Sequence, residues 1–236
     1  MKAFLLAAGH GTRLRPYTDL LPKCLLPIRG VPMLEIWLSL CRRHGISEVL
    51  INTHAHSSAV VEFIRKWRDG VHVTIREEAE LFGSAGTLRA NRAWLETDDQ
   101  FWIFYADVLT NADLNSMLEF HSPRSAATLG VYAVKDPRRC GIVCTDEHHV
   151  ITEFTEKPSE PKSHWAFSGI MIGTPALLDA IPDKSGSDIA FDVLPQLIGR
   201  MRAYAIPEFV IDIGTPENYE EAQRKWPALA RTQRNG

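Results

Sequence analysis

The feature that most constrains the fold is an alternation of short apolar runs with amphipathic segments through the first half of the chain. The apolar runs suited to buried strands are residues 2–7, 48–52, 71–76 and 101–105. Helical spacing of apolar residues predicts helices at 33–44, 57–67, 84–94 and 114–120. This order implies a parallel sheet with helices on both faces.

From Ala126 the pattern changes to strand-like pieces that are separated by polar turns. These pieces are residues 126–134, 141–144, 150–156 and 166–172. Helical patterns return at 175–180, 189–200 and 216–226, and the last residues, ALARTQRNG, are expected to fray. We therefore expect an α/β fold, in which a parallel sheet continues into a smaller, mixed and partly antiparallel lobe.

Composition narrows the functional classes. The chain has 236 residues, 45% hydrophobic and 23% charged, which is enough for a substantial core. A net charge of −3 argues against general binders of nucleic acid or anionic membranes, which carry a basic excess. No signal-peptide pattern follows Met1, and no apolar run approaches the roughly 20 residues that span a bilayer. We expect a cytoplasmic protein whose four scattered cysteines are reduced thiols.

The stretch FLLAAGHGTRLRPYTDLLPKCLLP, residues 4–27, joins an apolar strand to a flexible cationic loop. The loop follows the carboxyl end of the first strand, where open parallel sheets bind ligands. Gly9 and Gly11 let backbone N–H groups approach an anion, while Arg13 offers a planar fork and Lys23 a point charge. A polyphosphate ligand fits these residues, and a glycine-rich turn with solvated basic side chains is the alternative. The dinucleotide and Walker A patterns are both incomplete here.

Two aspartates have the context of metal ligands. Asp107 follows the apolar run at 101–105, and Asp212 follows residues 209–211, so each carboxylate is expected at a strand end. Mg²⁺ prefers a few hard oxygen ligands together with substrate phosphates and water, so two aspartates suffice. The alternative for each is a helix cap or a turn residue.

The full spacing of the opening loop, GxGTRLxPxTxxxPKxxxP from residue 9 to residue 27, resembles the signature loop of sugar-1-phosphate nucleotidyltransferases. Further segments follow in that family's order: LFGSAGTL (81–88), YADVL (105–109), CGIV (140–143), FTEKP (154–158), FSGIMI (167–172) and VIDIGTPENY (210–219). Together they cover residues 1 to about 220, and the first and last are the most specific.

The resemblance implies a Rossmann-like mixed sheet and one nucleotidyltransferase domain over residues 1–236. Within it, residues 1–125 form a nucleotide-binding lobe, 126–205 a mainly sugar-phosphate lobe, and 206–236 the metal-ligand strand and a C-terminal helix. Many relatives append a β-helix, whereas only about twenty residues follow the IDIGTP segment here. We therefore expect a bare catalytic domain that is a monomer or a homodimer.

The family's pattern also implies the site. The residues expected to bind the nucleotide are Ala7, Ala8, Gly9, Gly11, Thr12, Arg13, Lys23 and Gly83. Among the catalytic residues Arg13, Lys23 and Asp107, the last would share Mg²⁺ with Asp212. The residues expected to bind the sugar phosphate are Gly141, Glu156, Lys157, Ser168 and Gly169. In this pattern the Glu156 carboxylate binds sugar hydroxyls and the Lys157 ammonium binds the phosphate.

Two departures from the family's pattern bear on substrate choice. Ala106 stands where relatives usually have glycine, and its methyl group narrows the approach to the nucleotide. Ser168 stands where many relatives have asparagine, which shortens the reach of a sugar contact.

The resemblance implies a reaction in which a sugar 1-phosphate displaces pyrophosphate from a nucleoside triphosphate, as in the nucleotide-sugar biosynthesis that supplies cell-surface polysaccharide. FGSAGTL resembles a segment of mannose- and heptose-1-phosphate guanylyltransferases, which favours GTP. FSGI resembles uridylyltransferases for muramic-acid-type sugars, so UTP with an amino-sugar 1-phosphate is the alternative. A catalytically silent nucleotide-sugar sensor is a third possibility.

Overall fold

The strand and helix pattern of the sequence is realised in a computed structural model that describes residues 1–96 and 98–227. Its strands are β1 (Lys2–Leu6), β2 (Pro27–Ile28), β3 (Val31–Pro32), β4 (Glu48–Thr53), β5 (His72–Glu77), β6 (Phe101–Tyr105), β7 (Val108–Thr110), β8 (Ala127–Ala133), β9 (Gly141–Thr145), β10 (Ile151–Glu156), β11 (Trp165–Gly173), β12 (Met201–Ala205) and β13 (Val210–Asp212). Its α-helices are α1 (Met33–Arg43), α2 (Ser57–Lys66), α3 (Ser84–Ala90), α4 (Leu114–Phe120), α5 (Pro175–Asp179) and α6 (Pro216–Lys225).

One mixed sheet runs through both halves of the chain. Its strand order is β10-β9-β11-β6-β1-β4-β5, with β8 paired to β11 and β12 paired to β8. Strand β1 lies parallel between β4 and β6, and β5 extends this parallel part. Strand β11 is antiparallel to β6, β8 and β9. The predicted α/β fold with a Rossmann-like mixed sheet is therefore confirmed.

Strands β1, β4 and β6 are buried on both faces, which explains why they read as nearly continuous apolar runs, whereas the edge strand β5 is only partly buried. In β1, Leu5 belongs to the hydrophobic cluster that includes α1, whereas Phe4 belongs to the cluster on the other face that includes α3. In β6, Phe104 and Ile103 divide between the same two clusters. Each such side chain contributes about 1.5–3 kcal/mol when fully buried, so the sheet forms a rigid base for the loops at its carboxyl edge.

The helix predicted over residues 189–200 is wrong. The chain instead forms a π-helical turn at Ile189–Val193, followed by a 3-10 turn at Leu194–Leu197. Pro195 has no N–H and cannot continue an α-helical ladder. Asp188 precedes the turn and accepts hydrogen bonds from the N–H groups of Ala190 and Phe191, which fixes its start.

The helix predicted over residues 84–94 is also shorter than expected, because α3 ends at Ala90 and a 3-10 turn follows at Arg92–Leu95. Most other predicted elements match the observed bounds to within one residue. The ALARTQRNG segment, residues 228–236, lies outside the described residues. Within residues 1–96 and 98–227, no helix is long and apolar enough to cross a membrane.

Candidate active site

The opening loop leaves β1 and turns sharply at Gly11, whose φ of 67° is in the left-handed region. A Cβ atom there would lie 3.0 Å from Cγ2 of Thr18. The Thr18 hydroxyl donates a hydrogen bond to the Gly11 carbonyl at 2.8 Å, and a 3-10 turn follows at Thr12–Leu14. Because only glycine combines this φ with so little space, the sequence fixes the course of the loop here.

Arg13 lies on that 3-10 turn with its side chain exposed. Among the described residues it has no carboxylate partner within 4.0 Å. Its guanidinium reaches across to Gly214, where a Cβ atom would lie 3.2 Å from Nη2. The structure therefore leaves the donors of Arg13 free for an anion beside the segment that follows β13.

Lys23 joins the loop to the end of β6. Its Nζ lies 2.8 Å from Oδ2 of Asp107, and both side chains are partly buried. A charge-assisted hydrogen bond of this length is strong and directional. The predicted cation and the predicted metal ligand thus come together, although they are far apart in the sequence.

Asp212 reaches the same place from β13, which pairs antiparallel with β7 and sets Asp212 opposite Val108. The N–H of Ile213 donates to the Asp107 carbonyl at 2.9 Å, so the two aspartates are neighbours. Although Asp212 is an exposed residue, the protein atoms around its carboxylate limit its hydration and the Asp107 charge repels it. Together these effects raise the pKa of Asp212 to about 6. Two crowded carboxylates with hard oxygen donors are a suitable pair for Mg²⁺.

A cavity of about 240 Å³ opens beside these groups at the carboxyl ends of β1, β4 and β6. The residues that line it are Leu6, Ala7, Ala8, Gly9, Lys23, Cys24, Asn52, Glu78, Leu81, Gly83, Ser84, Tyr105, Ala106 and Asp107. The structure thus brings Ala7, Ala8, Gly9, Lys23 and Gly83 to one cavity with Asp107. The other residues predicted to bind the nucleotide, Gly11, Thr12 and Arg13, lie along the adjoining loop.

Behind the cavity is a buried polar network that sequence reasoning missed. Asn52 accepts the Ala7 N–H at 2.8 Å and donates to Glu78 Oε1 at 2.9 Å. The hydroxyl of Thr87 also donates to Oε1, and the N–H of Phe82 donates to Oε2 at 3.1 Å. Asn52 follows the apolar part of β4 much as Asp107 follows β6, so a search for polar residues at the carboxyl ends of apolar strands could have found it. Nothing local marks Glu78, which is one of several acids in its segment.

Gly83 has a structural role besides lining the cavity. Its φ is +79°, and a Cβ atom there would lie 2.3 Å from the Ser187 carbonyl oxygen. That carbonyl accepts the N–H groups of Ala85 and Gly86 at 3.0 and 3.2 Å. The segment around Ser187 therefore closes over the start of α3, and this close approach requires glycine at position 83.

A second contact ties the same segment to the cavity wall. The Ser84 hydroxyl donates to Asp188 Oδ2 at 2.8 Å, and the N–H of Ile189 donates to the Ser84 oxygen at 2.8 Å. Sequence reasoning did not single out Ser84 or Asp188. Their pairing depends on a contact between residues more than one hundred positions apart, which local pattern does not reveal.

Gly141 at the start of β9 pairs with Glu156 at the end of β10, and Lys157 follows directly. A Cβ atom on Gly141 would lie 2.6 Å from Oε2 of Glu156, so glycine makes room for that carboxylate. Burial raises the pKa of Glu156, and the Lys157 ammonium, 3.5 Å from Oε1, partly offsets the rise. Lys157 is exposed and has a φ of 50°, a strained value for a residue with a side chain. The corner presents an acceptor and a cation side by side.

Ser168 and Gly169 are placed differently from each other. Ser168 is buried, and its hydroxyl donates to the Gly130 carbonyl at 2.7 Å and accepts the Ile170 N–H at 3.2 Å. Its predicted sugar contact therefore has no structural support. Gly169 has a φ of +78°, and a Cβ atom there would lie 3.0 Å from Cβ of Tyr105 in the cavity wall. Gly169 thus lets β11 approach the cavity closely.

A family model described as nucleotidyl transferase matches residues 2–228. The chain is 34% identical to a mannose-1-phosphate guanylyltransferase of Mycobacterium tuberculosis over 224 residues, covering 92% of this chain and 62% of that protein. It is 32% identical to a UTP–glucose-1-phosphate uridylyltransferase of Synechocystis over 243 residues, covering 95% of this chain and 63% of that protein. The chain thus spans about three fifths of the length of these curated relatives.

Solved structures share the fold. A putative glucose-1-phosphate thymidylyltransferase from Bacillus anthracis, in complex with sucrose, superposes with a TM-score of 0.84 at 25% identity, covering 95% of this chain and 94% of that one. HddC from Yersinia pseudotuberculosis, complexed with GMP-PN, superposes with a TM-score of 0.81 at 22% identity, covering 96% of this chain and 99% of that one. The second likeness bears on the fold alone.

Proposed function

This chain belongs to the nucleotidyl transferase family, and we propose that it transfers a nucleotidyl group from a nucleoside triphosphate to a sugar 1-phosphate. The observation that carries the proposal is the meeting of the Gly11 loop, the Lys23–Asp107 pair and Asp212 at one edge of the sheet. A glycine loop with free cationic donors beside two carboxylates suits a polyphosphate and its counter-ion.

In the proposed reaction, a phosphate oxygen of the sugar 1-phosphate attacks the α-phosphorus of the triphosphate in line. A new bond forms between that oxygen and the α-phosphorus, the bond to the β-phosphate oxygen breaks, and pyrophosphate leaves. The nucleophile is already an anion, so no general base is needed. Catalysis then depends on alignment and charge stabilisation, which Arg13 and Lys23 are situated to supply.

We propose Mg²⁺ as the metal, with Asp107 and Asp212 as its protein ligands. When bound, Mg²⁺ would neutralise negative charge on the phosphate oxygens. In the part of the chain that the structure describes, no group of three or more His, Cys, Asp or Glu side chains is arranged to hold a metal ion. A site completed by substrate phosphates and water is consistent with two carboxylates.

For the sugar phosphate, we propose the corner of Gly141, Glu156 and Lys157. The half-buried Glu156 carboxylate suits hydroxyl donors, and the exposed Lys157 ammonium suits the phosphate. Because Lys157 is separate from the opening loop, this corner provides a second anion site for the second phosphorylated substrate.

We favour GTP with a mannose- or heptose-type 1-phosphate. The segment FGSAGTL, residues 82–88, resembles that of mannose- and heptose-1-phosphate guanylyltransferases, and two of its residues, Gly83 and Ser84, line the cavity. The Mycobacterium relative, named for guanylyl transfer, agrees with this choice. The Synechocystis relative, named for uridylyl transfer, keeps UTP with an amino-sugar 1-phosphate as the alternative.

A catalytically silent sensor of nucleotide sugars is a candidate of another class. The retained pairing of Lys23 with Asp107 at 2.8 Å, beside Asp212, favours an enzyme, because ligand sensing alone does not require a charge-stabilising reaction centre. A cytoplasmic location, a monomeric or homodimeric state and a role in cell-surface polysaccharide synthesis are predictions that accompany the proposed activity.

The test is a matrix of pyrophosphate release with Mg²⁺, in which GTP, UTP, dTTP and CTP are each combined with mannose, heptose, glucose and amino-sugar 1-phosphates. We expect release with GTP and a mannose- or heptose-type sugar, and none after chelation of the metal. Thermal shifts with each triphosphate report binding separately, since a ligand at 100 times its Kd stabilises by about 2.7 kcal/mol.

The outcomes separate the candidates. Release with UTP alone would overturn the choice of base. Stabilisation by a triphosphate without pyrophosphate from any pair would favour the sensor. If no triphosphate stabilised the protein and no pair released pyrophosphate, the proposed function would be rejected.

A further inference from the structure

Phe191 is a large apolar side chain that the core does not use. Phe191 lies on the π-helical turn at Ile189–Val193 and is 57% exposed. Its neighbours in that turn, Ile189 and Val193, are fully buried. The turn therefore anchors itself through those two residues and holds the aromatic ring outward.

Two aspartates, Asp188 before the turn and Asp192 within it, hold the turn that carries Phe191. Asp188 accepts the N–H groups of Ala190 and Phe191 at 2.8 and 3.0 Å. Asp192 accepts the Asp188 N–H at 2.8 Å and the Lys184 ammonium at 2.6 Å. Short π-helical turns are rare and occur often at functional sites. This exposed ring is thus held by a well-bonded backbone.

The Phe191 ring lies beside Lys157, the residue that follows β10. The Lys157 Nζ lies 5.6 Å from the centre of its ring, within the range of a cation–π contact. The same ammonium lies 3.5 Å from Oε1 of Glu156. An apolar ring, a cation and a carboxylate therefore converge from two different parts of the chain.

These three groups match the three chemical parts of a pyranose 1-phosphate. The phosphate is an anion, the hydroxyl groups are donors, and the carbon-bound hydrogens form an apolar face. Aromatic rings present a negative π-face that attracts such weakly positive hydrogens. Binding sites commonly combine an apolar surface with a few placed polar groups in this way.

We propose that Phe191 is a platform on which the pyranose ring of the sugar 1-phosphate stacks, while Glu156 and Lys157 bind its hydroxyl and phosphate groups. The inference rests on the proposed function and adds a residue that selects for the sugar ring. Because the turn is bonded to Ser84 in the cavity wall, the platform also sets the sugar at a defined position relative to the nucleotide.

The test measures affinity for mannose, heptose, glucose and amino-sugar 1-phosphates and for inorganic phosphate by calorimetry, and the KM values of both substrates. For Phe191→Ala we expect about tenfold weaker binding of the preferred sugar phosphate, with inorganic phosphate and the triphosphate KM unchanged within about twofold. Phe191→Tyr retains the ring and should bind as the wild type does. Ile198→Ala, which removes another exposed apolar side chain (39% exposed), is the control and should change nothing.

The alternatives give different results. Equal weakening of sugar phosphate and inorganic phosphate would mean that Phe191 only steadies Lys157, and the platform would be rejected. Unchanged sugar binding in Phe191→Ala would also reject it. Phe191-dependent sugar binding without any turnover would retain the platform and reject the transferase. If no sugar phosphate bound the wild type, both proposals would fail.

Discussion

The opening loop and the Glu156–Lys157 corner use the same kinds of residue in opposite ways. Each sets a lysine against a carboxylate, but Lys23 has a side-chain exposure of 14% and lies 2.8 Å from Asp107, whereas Lys157 has 57% and lies 3.5 Å from Glu156. Because the Lys157 ammonium is exposed and lies at the longer distance, its contact with the half-buried Glu156 contributes about 0–1 kcal/mol, and a ligand phosphate can compete for the ammonium. The Lys23–Asp107 pair is therefore organised before any ligand binds, whereas the Glu156–Lys157 corner offers groups that a ligand can still recruit.

The largest effect is expected for Asp212→Asn, which changes the carboxylate beside the Lys23–Asp107 pair. We expect pyrophosphate release to fall by about 10³-fold or more, because the partner of Asp107 in the proposed metal site loses its charge. At neutral pH the ligand-free variant should be more stable than the wild type by about 1 kcal/mol, since solvent exposure of the residue screens the repulsion that is removed. Equal activity in variant and wild type would reject Asp212 as a metal ligand.

The stability difference has a defined pH dependence. Because the folded-state pKa of Asp212 is raised to about 6, its ionised form destabilises the wild type. The advantage of the variant should therefore appear between about pH 4 and pH 6, be complete above that range and vanish below it. Thermal unfolding across this range measures it. Asp183→Asn, at an exposed carboxylate paired with Arg89, serves as the control and should show no such profile.

Lys23→Ala should have the next largest effect. If Lys23 stabilises charge as the α-phosphate reacts, kcat should fall by about 10²-fold with little change in either KM, because an interaction that is stronger in the transition state accelerates chemistry. The variant also leaves Asp107 without its ammonium partner. Steady-state kinetics in both substrates provide the measurement, and an effect confined to the triphosphate KM would contradict this role.

Lys157→Ala should act on binding. We expect about a tenfold rise in the KM for the sugar phosphate and a smaller loss of kcat, since the phosphate charge is already present in the ground state. Some loss of kcat follows because a poorly held nucleophile is poorly aligned. If this variant and Lys23→Ala both raised the triphosphate KM alone, the proposed difference between Lys23 and Lys157 would be wrong.

The smallest change is expected for Ser168→Ala. The variant removes a buried hydrogen bond to the Gly130 carbonyl and should lose about 1 kcal/mol of stability. Its KM for the sugar phosphate should stay within about twofold of the wild type, as measured in the same assay. A selective rise in that KM would restore Ser168 to the sugar site.

The sequence predicted the groups that follow regular strands more successfully than those set by long-range packing. Asp107 was found because it follows an apolar run, and Gly11 because a tight loop follows the first strand. Glu78 was missed because its burial depends on Asn52 and Thr87, which come from other elements. Ser168 drew attention through a resemblance, but its hydroxyl is committed to the backbone.

The error over residues 189–200 has a similar origin. Their apolar spacing is compatible with an α-helix, yet Pro195 and the bonding of Asp188 with Ser84 favour two short turns. The spacing of apolar residues predicts which side chains face the core, but it carries no information on long-range contacts such as that of Asp188 with Ser84. The exposed position of Phe191 is therefore visible only in three dimensions.

The close approach of Ser187 to Gly83 has a consequence for engineering. A designer who transplants the second lobe of a relative to change sugar preference would naturally cut the chain near residue 125. The hydrogen bonds between Ser187 or Asp188 and residues 84–86 would then connect segments taken from two different proteins. Arg89 also donates to the Pro182 carbonyl and to Asp183, so a workable hybrid must exchange residues 83–89 together with 182–193. The unit of exchange is therefore defined by these contacts in space and not by one cut in the chain.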